Sequence, residues 1–93
     1  MSEFLTVLSF YYLCDSTAAV RPMSGEEIVR CTQAYETVKV YFVPDFELEP
    51  IGTLARFRQM QQGYHGFKAW ERDNPELVKE LRQNAEALVR IGF

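Results

Sequence analysis

Histidine occurs once and cysteine twice in these 93 residues, and Cys14 and Cys31 do not form a CxxC pair. Two cysteines cannot build a disulfide scaffold, and with one histidine they make a poor zinc site. The expectation is two small buried hydrophobes in a reducing compartment, with a single disulfide as the alternative. Glycine and proline are also scarce, five and four residues, which excludes collagen-like and low-complexity chains. No apolar run reaches the length of about 20 residues that a spanning helix needs. The run at 4–14 (FLTVLSFYYLC) ends at Asp15, and the only charge before it is Glu3, so it lacks the basic region of a signal peptide. Its "YYLC" lacks the small residues of a lipoprotein cleavage site. A cytoplasmic protein with a buried first element is expected. There is no Gly-rich phosphate loop, Walker pattern, HExxH or EF-hand loop, so neither cofactor nor metal is implied.

What is present is ordinary globular composition: 47 % apolar, 25 % charged and 14 % aromatic residues. The length fits one domain over 1–93, burying only about 60–65 % of its unfolded surface. A partner could complete that burial, and large aromatics are enriched at interfaces. The net charge of −3 argues against general nucleic-acid binding. Residues 1–49 carry eight acids and three bases, and 50–93 carry five acids and seven bases. The two halves either attract each other or offer faces of opposite sign to partners.

The patterning predicts an all-α bundle of about four helices. The alternative is an α+β fold with strands near 4–13 and 37–43. Residues 4–14 do not alternate, and Ser2, Thr6, Ser9 and Ser16 draw one narrow polar stripe, which favours a helix. A connection follows at 15–23. Ser24-Gly25-Glu26-Glu27 has the form of a capping box, and Ile28, Cys31, Tyr35, Val38 and Phe42 continue at 3-4 spacing until Pro44. Residues 43–50 form an extended connection with Phe46 and Leu48 inward. Pro50 or Thr53 starts the next helix. A weak repeat, Q-[AG]-Y-x-x-[VF]-K-x-[YW], relates 33–41 to 62–70, pairs Ile28 with Phe57 and Cys31 with Met60 upstream, and so suggests an antiparallel helical hairpin with apolar stripes at 28, 31, 35, 38 and 57, 60, 64, 67. Gly63 and Gly66 invite a break, since each costs a helix about 1 kcal/mol against alanine. Asn74 and Pro75 open the last helix, and Gly92 closes it in the left-handed conformation, with Phe93 folding back onto it.

Chemistry-bearing residues are few. His65, between glycines, has no matched acid or nucleophile in the pattern; a small enzyme using His65 or a cysteine is the third-ranked reading. The leading expectation is a non-enzymatic interaction protein, an accessory subunit or inhibitor of the kind phages and mobile elements carry, binding a larger protein or assembly or a second copy. Its candidate anchors are Tyr41, Tyr64 and Trp70, with the acidic stretch Asp45, Glu47 and Glu49 beside Phe46 as a further candidate. The alternative is a small helix-turn-helix-like regulator that turns at 63–66 and meets phosphate with Arg56, Arg58, Lys68 and Arg72.

Overall fold

The computed structural model describes residues 2–44 and 47–92, and four helices account for most of them. They are α1 (Glu3–Val20), α2 (Gly25–Val40), α3 (Leu54–Asp73) and α4 (Pro75–Arg90), with no strand among the described residues. The all-α expectation holds.

α1 is apolar on nearly every face, and the fold is arranged to cover it. It packs along α2 and α4, and its side chains reach the second half of α3. The core joins Leu8 and Tyr12 of α1 to Val38 of α2, Phe67 of α3, and Leu81 and Ala85 of α4. The helix runs to Val20, through most of the connection expected at 15–23. Thr17 returns its hydroxyl to the Leu13 carbonyl (2.8 Å), and Asp15 meets Arg82 of α4 (3.5 Å), so residues that favour turns are held within the helix. The true connection is Arg21–Ser24. There the capping box forms as expected: the Glu27 amide donates to Ser24 Oγ and the Ser24 amide to Glu27 Oε1.

Cys14 and Cys31 are bonded to each other, which corrects the expectation of free thiols. The antiparallel α1–α2 pair sets their Cα atoms 5.8 Å apart, within disulfide reach. The bond joins the ends of α1 and α2 nearest their connection, while Phe4 meets Tyr41 at the other end (5.3 Å).

α2 and α3 are not an antiparallel hairpin. Lys39 lies against Gly63 and Phe42 against Gly66, so the contacts advance in the same direction along both segments. Residues 41–53 carry the chain back to allow this. Nor is there a break at 63–66: α3 is continuous. A Cβ at Gly63 would overlap the Lys39 carbonyl oxygen, and one at Gly66 would fall 2.7 Å from Phe42 Cβ. These glycines permit backbone approach, and the packing offsets their poor helix propensity.

α3 passes into α4 through Asn74 alone. The expected side-chain cap on α4 is not made; Asn74 Nδ2 instead donates to the Trp70 carbonyl (2.8 Å) and closes the end of α3. Gly92 has the predicted left-handed φ of 89°, while Phe93 lies outside the described residues.

Replacing Gly63 with alanine should lower the melting temperature, because overpacking at a contact of this kind costs about 1–3 kcal/mol. Gly25→Ala, where a Cβ meets open space, should not lower it. Reducing the Cys14–Cys31 bond, which closes a loop of sequence separation 17, should cost about 3 kcal/mol. Urea midpoints with and without a phosphine reductant check this.

Candidate functional site

The first half of α3 has a face that the core does not cover. Leu54 is 62 % exposed and Phe57 59 % exposed, and Tyr64 lies two turns further along the same row. Ile51, just before the helix, is 86 % exposed. Beside this row two hollows lie between α2 and α3, of about 670 and 560 Å³. They share Glu36 and Met60 and so form one groove, with Ile51 at one end and Phe57 and Tyr64 at the other. The predicted stripes explain this only in part. Tyr35, Val38 and Phe67 turn into or against the core, but Ile28 and Phe57, at the starts of the two stripes, face outward.

The returning segment is tied to α3 by one buried side chain. Gln59 is 6 % exposed, and its amide bonds like a strand partner. The Glu49 amide donates to Gln59 Oε1 (2.8 Å), and Gln59 Nε2 donates to the Glu47 carbonyl (3.0 Å). Arg56 adds a bond to the Glu49 carbonyl (3.1 Å). Nothing in the sequence singled Gln59 out. Glu47 and Glu49 are exposed, as expected. Leu48, expected inward, is 41 % exposed, because Gln59 holds the segment by its backbone. Asp45 and Phe46 lie outside the described residues.

The other expected anchors divide. Tyr64 lines the groove. Tyr41 and Trp70, paired by the repeat, both pack edge-on against Phe4 (5.3 and 5.1 Å). Trp70 is partly buried against the core and completes it rather than presenting itself to a partner.

The basic residues also divide. Arg56 is held by Glu49, and Lys68 pairs with Glu71 (3.1 Å). Arg58 and Arg72 are exposed and make no ion pair with any described residue. Arg58, His65 and Arg72 follow one another at intervals of seven residues, which draws one row beside Leu54, Phe57 and Tyr64. Because α3 is continuous, the helix-turn-helix expected to turn at 63–66 does not form there.

A polar network lies at the junction of three helices. Tyr12 donates to Glu71 Oε2 (2.7 Å), the Arg82 guanidinium lies 4.1 Å from the Tyr12 ring centre, and Arg82 reaches both Asp15 and Glu71. Burial, and then the bond to Glu71, push the Tyr12 hydroxyl far above the ordinary tyrosine range. Burial likewise raises Tyr11 to about 12. Both hydroxyls stay protonated at neutral pH, and the network joins α1, α3 and α4. On the surface, Arg21 beside Glu27 lowers that carboxyl to about 2.

Chemistry by a free thiol is closed, since both sulfurs are in the bond and none is left to pair with His65. A further hollow of about 180 Å³ lies beside the disulfide between Phe10, Leu13 and Met23. Among the described residues no group of His, Cys, Asp or Glu could hold a metal ion. No described helix is long and apolar enough to cross a membrane.

Gln59→Ala should cost about 1–3 kcal/mol, because it strips the Glu49 amide and Glu47 carbonyl of their shared partner. Hydrogen exchange should then quicken at the Glu49 amide, while the Leu8 and Tyr12 amides change only with global stability.

Compared with known proteins, the chain matches no family model, no curated protein and no solved structure.

Proposed function

We propose that this chain is a non-enzymatic protein–protein interaction module. It would act as an accessory subunit or inhibitor, seating the first half of α3 and the α2–α3 groove on a larger protein. One observation carries this reading: Leu54, Phe57 and Tyr64 form a continuous exposed apolar row that borders a groove. Apolar surface of that kind, rimmed by polar groups, marks interaction sites in soluble proteins. The shape of the molecule supports the same view. Its radius of gyration is 14.2 Å, against about 12 Å for a compact chain of this length.

The compartment belongs to the same proposal. The cytoplasmic expectation rested on the missing features of a signal peptide, and the cysteines were expected to be reduced. A Cys14–Cys31 bond favours an oxidising environment instead, so the partner is sought under non-reducing conditions.

The test is capture from host extracts by immobilised protein, using wild type, Phe57→Asp, and a Lys79→Glu control on α4. Circular dichroism establishes that each variant is folded. A stoichiometric protein retained by wild type and the control, and lost with Phe57→Asp, is the expected result. The same protein held by all three, or nucleic acid alone released by moderate salt, overturns the proposal.

A further inference from the structure

Between Pro50 and Trp70 the chain carries no carboxylate, although the protein as a whole has a net charge of −3. The same span holds Arg56, Arg58, His65 and Lys68, and Arg72 follows one turn later. The exposed face of α3 is therefore both apolar and purely basic over most of its length. Its two rows run side by side, Leu54, Phe57 and Tyr64 in one and Arg58, His65 and Arg72 in the other. Two of those cations have no ion pair among the described residues.

We infer that the partner segment docking on this face is an acidic amphipathic helix, with apolar side chains at i, i+3, i+4 and i+7 and carboxylates alongside them. This inference rests on the interaction reading above and specifies its partner. The apolar positions would lie over Leu54, Phe57 and Tyr64 and into the groove at Met60, as helices seat in grooves elsewhere. The flanking carboxylates would meet Arg58 and Arg72, where opposite charge sets register and excludes wrong partners. The chain already lays one segment of this chemistry along α3. Glu47-Leu48-Glu49 alternates acid and apolar residues, although Gln59 and Arg56 hold it through its backbone.

Two other occupants fit less well. A second copy meeting the same face across a two-fold axis would oppose basic row to basic row. A nucleic acid would find two unpaired guanidiniums separated by about 21 Å of helix, few phosphate contacts, and an apolar row with nothing to bind on a phosphate backbone.

The experiment uses two fluorescent peptides of one helical design and identical apolar positions. One carries glutamates at the remaining positions and the other lysines. Anisotropy is read with the full, oxidised protein. The glutamate peptide should bind saturably, roughly tenfold or more tighter than its twin, and weaken as salt rises. The double variant Arg58→Glu/Arg72→Glu should reverse that preference, and Phe57→Ser should weaken both peptides. Equal binding of the twins, tighter binding of the lysine peptide, or no binding overturns the inference. So does tighter saturation by a labelled oligonucleotide, or a dimer in light scattering that Phe57→Asp dissolves. If extract capture is lost with Phe57→Asp yet the glutamate peptide fails, the docking surface stands and its acidic partner falls. If Phe57→Asp changes no capture, the interaction reading itself falls.

Discussion

The arrangement turns on the place where α2 and α3 touch backbone to backbone. Gly63 under the Lys39 carbonyl and Gly66 under Phe42 let α3 come closer than any side chain would allow. That contact fixes where α3 crosses. Beyond it, the second half of α3 delivers Phe67, Trp70 and Glu71 to α1. Before it, the first half runs out alongside α2 with only Gln59 buried and Arg56 and Met60 half-buried. The exposed row Leu54, Phe57, Tyr64 is the other side of that geometry. A helix pinned near its middle cannot bury both ends against a core this small.

The second half is secured differently. Apolar packing around Phe67 supplies most of the driving force, since burial of large side chains dominates in a core of this size. The Tyr12–Glu71–Arg82 network adds direction. Glu71 is only 14 % exposed at its side chain, and a carboxylate so placed needs partners. It receives Tyr12 from α1, Lys68 from its own helix and Arg82 from α4. That satisfaction ties three helices to one relative rotation. Arg82 also joins the acidic first half of the chain to the basic second half through Asp15, so the charge asymmetry serves the fold in part.

Much of the fold was legible in the sequence where local chemistry decides. The Ser24 box, Thr53 as one of the two expected helix starts, and the left-handed Gly92 depend on near neighbours along the chain. The misreadings fall where distant residues override local preference. Asp15, Ser16 and Thr17 look like a turn until Arg82 is brought beside them. Gly63 and Gly66 look like a break until α2 lies over them. The disulfide left no local trace, because Cys14 and Cys31 each sit on an apolar helical stripe. Of the site, Tyr64 was visible but Phe57 was absorbed into a presumed core stripe. Periodicity shows which residues share a face and not whether anything covers it. A carboxylate-free run between Pro50 and Trp70 also sets this face apart in the sequence.

α1 finds its most extensive packing against α4, the last of the four helices. During synthesis the most apolar segment is therefore made first and its principal cover last. Until α4 emerges, α1 presents Leu8 and Tyr12 with only part of their native surroundings, and contacts of such long sequence separation form late. The apolar face of α1 thus stays partly uncovered until α4 is in place.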